Sequence, residues 1–349
     1  MQVLDLGKLP GQESMLVFHA LARMGFEGLV IVSPQAPLAS VGYFQDAEKE
    51  IDLAYCRKAG VPVMRREVGG GATYLDGNQI FYQIIWNKNN PKFPKGVGAI
   101  FEFLSQPPCE TYREFGIDAV FRAANDIVTK EGKKIAGEGG GDIGDSMVFV
   151  GGILLDFDYA SMSRILRVPD EKFRDKIYKS MEENLTTMKR ELGSIPDRAS
   201  VVKVLISKFE GLVGRLEPAR LPFDAIEKMS ELERWFTSEA FLFKKTPRIP
   251  KGVKIKEGIE ILYSTYKATG GLIRTMQEVK ENRIGGITLS GDFQFFPKSG
   301  LDAMEKELAN AEREEDGIQS TIEAFYERHR IETPKVESED FTEAIMTAE

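Results

Sequence analysis

Residues 65–74 read RREVGGGATY, and the fold of the chain is decided by how this stretch is taken. It lies between two runs with strand character, 61–66 and 79–86 (QIFYQIIW), the second rich in aromatic and β-branched residues. Gly69, Gly70 and Gly71 carry no Cβ, so several backbone N–H groups there can converge on one anion. Arg65 and Arg66 can add bidentate bonds to a phosphate or carboxylate. Taken alone, the same residues also suit a flexible turn beside a solvated arginine pair.

Around this stretch the pattern is mixed. Apolar runs at 28–33 and 39–44 read as strands, and the spacing over 46–59 favours a helix. Residues 146–155 (SMVFVGGILL) predict another core strand. The stretch 125–138 predicts a hairpin, with Gly132 where a three-residue loop needs a left-handed residue. From 160 to 243 the pattern turns helical, with segments near 170–191, 198–214 and 223–240 separated by Pro169, Pro196 and Pro222. Residues 244–258 are rich in lysine and proline and read as a linker. Strand-like runs return in GGLIRTMQEV and GGITLSGDFQFF, followed by helices near 299–312 and 317–330. The acidic stretch 333–349 reads as a flexible tail.

The hairpin carries the second motif, Asn125-Asp126 followed by Gly132-Lys133-Lys134-Ile135-Ala136-Gly137. On a strand Lys133 and Lys134 face opposite ways, so one is solvated and the other turns inward. An inward lysine is a point charge suited to an oxyanion or a pentavalent transition state. Asp126 could hold Mg2+ through one carboxylate together with substrate phosphates. The competing reading is an exposed hairpin with two solvated lysines.

Composition removes other chemistries. The chain of 349 residues has 2 His and 2 Cys, so a multi-histidine metal site or a four-cysteine zinc site is excluded. Cysteine scarcity points to a reducing cytosol and a cytoplasmic location. Lys and Arg total 46 against 54 Asp and Glu, a net charge of −8, which argues against non-specific nucleic-acid or anionic-membrane binding. No apolar run approaches the roughly 20 residues of a membrane span, and no presequence pattern opens the chain.

In combination and order, RRxxGGGAxY and NDxxxxxGKKIxG resemble the catalytic domain of the lipoate–protein ligase family. PLASVGYFQ (37–45) and Gly151-Gly152-Ile153-Leu154-Leu155 resemble two further strands of that family. KATGGLIR (267–274) and Gly291-Asp292-Phe293 resemble its small accessory domain, so the likeness spans about 30–330. The resemblance implies an α+β fold: a mixed-sheet catalytic domain (1–243, mostly helical from 160), the linker, an accessory domain (259–332) and the tail.

It also implies a reaction. ATP and lipoate give lipoyl-AMP and pyrophosphate, and the acyl group passes to a lysine of a lipoyl carrier domain of the 2-oxoacid dehydrogenase E2 or glycine-cleavage H-protein type. Lys134 would contact the lipoyl carboxylate and α-phosphate, with Gly71 beside the lipoate. Arg66, Gly70, Gly71, Ala72, Thr73, Tyr74, Asn78 and Asn125 would bind the nucleotide, and Asp126 the Mg2+. Phe81, Ile84 and Trp86 are candidates for the apolar lipoyl slot or are simply core.

The sequence departs from the family at Val68, Leu75, Val150 and Ala136, where a serine or histidine is usual. Three alternatives stay open. A cofactor-free octanoyl or lipoyl transferase of the same superfamily would need a nucleophilic cysteine, and Cys109 lies well upstream of Lys134. A biotin–protein ligase lacks support because no GRGRxGR-type run is present. A non-catalytic lipoyl-handling protein would retain the fold alone.

Overall fold

The computed structural model describes residues 1–247 and 258–349. In chain order the strands of the larger part are β1 (Gln2–Leu9), β2 (Gly28–Pro34), β3 (Leu38–Val41), β4 (Val63–Arg65), β5 (Thr73–Leu75), β6 (Gln79–Asn87), β7 (Ala119–Arg122), β8 (Asp126–Thr129), β9 (Lys134–Ile143), β10 (Ser146–Leu154) and β11 (Glu217–Pro218). Eight of them form one mixed sheet in the order β11-β1-β2-β6-β10-β9-β8-β7. β1 runs parallel to β2, and every pair from β2 to β7 is antiparallel. A small second sheet, β4-β3-β5, stands beside it and presents the glycine run.

β2 is buried along its whole length, which explains its continuous apolar sequence. β6 instead alternates. Ile80, Tyr82, Ile84 and Trp86 enter one core with Phe101, Phe149 and Phe209, while Gln79, Phe81 and Gln83 face the other side. Ile84 and Trp86 are therefore core, and of the three slot candidates only Phe81 has the right parity.

The C-terminal part is an antiparallel sheet of β12 (Ile259–Ala268), β13 (Gly271–Lys280) and β14 (Arg283–Gly291) with helices Gly300–Leu308, Glu315–His329 and Ser338–Met346. The fold is thus α+β, with a large mixed sheet and a smaller antiparallel one. Its core is continuous with that of the larger part: Leu16, Phe18 and Phe44 belong to the same cluster as Phe293, Phe325 and Phe341.

Several local expectations need correction. The helix over 46–59 is two, Ala47–Glu50 and Leu53–Ala59, because Ile51 is drawn into a bridge with Leu166 and Asp52 caps the second through Tyr55 N–H. The segment 170–191 likewise breaks after Asn184, where Leu185 bridges Lys134. The flexible tail is overturned. Residues 338–346 form a capped helix that buries Phe341, Ala344 and Ile345, and Tyr263 and Glu349 exchange both backbone hydrogen bonds. Acidic residues occupy its first turn, where they suit the helix dipole. Most of the expected linker, 248–257, lies outside the described residues. Lys244 and Lys245 precede it: both pair with Asp302, and Lys245, which is buried, also pairs with Glu305, while Lys244 stays exposed. Among the described residues no helix is long and apolar enough to cross a membrane.

Candidate active site

Helix Gly11–Arg23 packs on the large sheet, and helix Glu171–Asn184 brings Ser180, Met181 and Asn184 to the same space. Between them lies a cavity of about 540 Å³. Arg66, Gly70, Gly71, Ala72, Thr73, Tyr74, Asn125 and Lys134 all line it. The two motifs, some 60 residues apart in sequence, thus meet in one place.

The glycine run is built tightly. Gly70 has φ +91°, a left-handed conformation, and a Cβ on Gly42 would stand 1.9 Å from the Gly70 carbonyl oxygen. Gly69 N–H donates to the Gly140 carbonyl on β9 at 3.3 Å. Gln294, from the C-terminal part, accepts from Gly70 N–H and donates to Gly140 O, both at 3.2 Å, when its amide is set to satisfy both ends.

The two arginines divide. Arg65 is fully buried and donates to the carbonyls of Gly42, Tyr43, Phe241 and Leu242, so it clamps the 42–43 loop to the short helix Glu239–Leu242 and does not reach the cavity. The expectation that both arginines serve an anion is corrected by this geometry. Arg66 donates to the carbonyls of Gly69 (2.9 Å) and Gly71 (2.8 Å) and to the Ser40 hydroxyl (3.3 Å). Its partners are neutral. Burial, together with the adjacent Arg65 charge, lowers its pKa to about 10. A buried cation held by neutral acceptors favours an incoming anion.

Lys134, the first residue of β9, lines the cavity and Lys133, just before the strand, does not; the register shift opposite Ile127 and Val128 puts Lys134 on the same side as Gly137. The Lys134 ammonium lies over Gly137 and pairs with Asp126 Oδ1 at 2.6 Å. Asp126 Oδ2 accepts from Arg122 at 3.1 Å. Both carboxylate oxygens therefore already face cations, and among the described residues no three His, Cys, Asp or Glu are grouped to hold a metal. These residues do not fit a resident metal ion, and Asp126 serves as the counterion of Lys134. Asn125 is pinned to β9 by its side-chain Nδ2, which donates to the Glu138 carbonyl (2.7 Å), and by its backbone carbonyl, which accepts Glu138 N–H (2.9 Å). Asn78 is the other exception. It is exposed, sits in a turn bonded to Asp76 and does not line the cavity.

The rest of the cavity is largely apolar. Met15 and Phe18 come from the covering helix, Phe81 from β6, Val150 and Leu154 from β10, and Met181 and Leu185 from the edge segment. Neither that helix nor its residues were anticipated, since nothing in 1–27 was assigned an element. The parity of Phe81 would have pointed to Gln79 and Gln83.

Neither thiol is at this site. Cys109 is buried in the core on the opposite side of the sheet, its pKa pushed up to about 12 by burial and by nearby Glu138. Cys56 is buried beside β3, its pKa raised to about 11 by burial and Asp52. His19 is also structural. Its Nδ1 bonds the Met15 carbonyl (2.8 Å), its Nε2 accepts Glu67 N–H (3.0 Å), and burial drops its pKa to about 3.

Residues 17–210 match the lipoyl protein ligase A/B catalytic domain. The chain belongs to this family. It is 32% identical over 157 residues to lipoate-protein ligase A subunit 1 of Thermoplasma acidophilum, a match spanning 42% of this chain and 58% of that relative. It is 26% identical over 232 residues to octanoyltransferase LipM of Kyrpidia tusciae, spanning 60% of this chain and 84% of that relative. Among solved structures, a bi-partite lipoate protein ligase from T. acidophilum, studied with its E2 lipoyl domain, superposes with a TM-score of 0.62 at 26% identity over 72% of this chain and 98% of that one. The family thus includes relatives named for two different reactions.

Proposed function

We propose that the protein is an ATP-dependent lipoate–protein ligase. The observation that supports this reading over transfer through a thioester is the placement of the cysteines: both are buried, neither lines the cavity, and both have raised pKa values. A thiol-dependent transferase requires a thiolate facing its acyl slot.

In the first step a lipoate carboxylate oxygen attacks the α-phosphorus of ATP, and the bond to pyrophosphate breaks. Arg66 and the amides of the 69–74 run hold the phosphates, with Ala72, Thr73 and Tyr74 along the nucleotide and Asn125 beside it. Lys134 leaves Asp126 to bridge the carboxylate and the α-phosphate. The reaction needs charge neutralisation and alignment more than a general base, which suits a cavity without histidine. Mg2+ enters with ATP as part of the substrate. In the second step the lysine amine of a lipoyl carrier domain attacks the acyl carbon, AMP departs and the amide forms. The carrier is of the E2 or H-protein type, and the reaction belongs to the cytoplasm. Residues 1–243 act as the catalytic unit and 259–332 as its accessory unit.

The test is mass spectrometry of a lipoyl domain after incubation with the protein and lipoate, with and without ATP, alongside a pyrophosphate assay. Carrier modification that requires ATP and releases pyrophosphate is the expected result. Modification from an acyl-carrier donor without ATP would replace the ligase by a transferase.

A further inference from the structure

Among the polar side chains of the cavity that the activation chemistry does not use, Gln83 is the one with an unpaired buried atom among the described residues. Gln83 on β6 lines the cavity, is 3% exposed, and its Oε1 has no hydrogen-bond partner. Its amide is oriented by the other end, because Nε2 donates to the Ser14 carbonyl of the covering helix at 3.0 Å. Cross-strand neighbours Val30 and Val150, with Met15 next to Ser14, make its surroundings apolar. A buried carbonyl left unpaired is costly, and the cost is recovered when a ligand supplies a donor.

The position fits the far end of an acyl chain. Val150 pairs with Gly139 of β9 as well as with Gln83, and the Lys134 ammonium lies over Gly137, two residues from Gly139. Two strand spacings and two residue rises separate Gly137 from Gln83, about 12 Å. An extended eight-carbon chain covers about 9 Å, which leaves room for a polar contact at each end.

We propose that Gln83 is a specificity-determining residue that selects a medium-chain acyl acid bearing a hydrogen-bond donor at its distal end over the plain fatty acid. A terminal hydroxyl is the simplest such donor, and the reduced dithiol of lipoate is the sulfur-bearing form. This inference rests on the acyl slot of the proposed function. A slot that hydrogen-bonds the tail discriminates against an analogue lacking the group, because that analogue leaves the protein acceptor unpaired.

The test is calorimetric titration of the full chain with 8-hydroxyoctanoate and with octanoate, repeated on Gln83→Leu and Gln83→Met. Wild-type protein is expected to bind the hydroxy acid about 5- to 100-fold more tightly, and both variants to lose or invert that preference. Equal wild-type affinities would overturn the role of Gln83 and leave the ligase reading standing. Binding of neither acid would overturn the acyl slot itself, and the proposed function with it. An undiminished preference in the folded variants would also overturn the assignment, placing the donor contact elsewhere.

Discussion

At the scale of single residues, the site depends on which of two neighbours faces inward. Lys134 lines the cavity while Lys133 does not, and its pairing with Asp126 is partly exposed. Such a pair adds little to stability, about 0–1 kcal/mol, so its removal should spare the fold. Lys134→Ala is expected to reduce adenylate formation at least 100-fold with an almost unchanged melting temperature. Lys133→Ala should stay within about two-fold of wild type in the same assay, and the opposite ranking would reverse the facing of the strand. Glu138, four residues on, makes a different prediction. Its carboxyl is buried against Tyr82 and Ser105, and burial raises its pKa from 4.5 to about 8. Between these values the folded state holds a proton that the unfolded chain has released. The contribution to stability is therefore complete below about pH 4.5 and is lost as pH rises through about 8. Glu138→Gln should flatten this alkaline decline in a series of melting temperatures across that window. A decline of unchanged slope would assign it to another group.

Among the elements, the glycine run is shaped from three sides: by Arg66 through its own carbonyls, by Gly140 of β9, and by Gln294 of the C-terminal part. Gln294→Ala removes only the last of these. The run should loosen, raising KM for ATP several-fold while kcat falls less, since Arg66 and Lys134 remain. Steady-state kinetics with ATP varied at saturating lipoate separates the two. The run and the lysine hairpin were legible in the sequence because each is encoded locally, by consecutive glycines or by the left-handed turn at Gly132. Other features were not, for identifiable reasons. Arg65 and Arg66 are adjacent and chemically alike, and only the carbonyls of Phe241 and Leu242, far along the chain, make one of them structural. The polar residues alternating along β12 disguised a strand that is only half-buried on one side. Met15 and Phe18 look like ordinary core residues until the glycines and Phe81 opposite them open a cavity. Asp126 had the composition of a metal ligand, but its oxygens are taken by Lys134 of the hairpin and by Arg122 of the neighbouring strand β7.

For the whole molecule, the two sheets share more than a tether. Phe44 of the larger part stacks on Phe293 at 5.5 Å, and Phe293 meets Phe341 edge-on at 5.3 Å. Glu67, beside the glycine run, is paired by Lys298 across the junction at 3.0 Å and by Arg23 at 2.7 Å. Burial works against that carboxylate, but His19, Lys298 and Arg23 hold its pKa near 2. The C-terminal helix therefore supports, through Phe341 and Phe293, the segment that carries Gln294 to the glycine run. Continuity of the core argues that the two parts unfold together. Phe341 is fully buried, so Phe341→Ala should cost about 3–5 kcal/mol. At an unfolding entropy of about 2.1 cal/mol/K per residue, that lowers the melting temperature by about 4–7 °C. Calorimetry should show this as a shift of one transition for the entire chain. A separate early transition, with the remainder unmoved, would mean that the smaller part melts alone and that its hold on the glycine run is not cooperative with the fold.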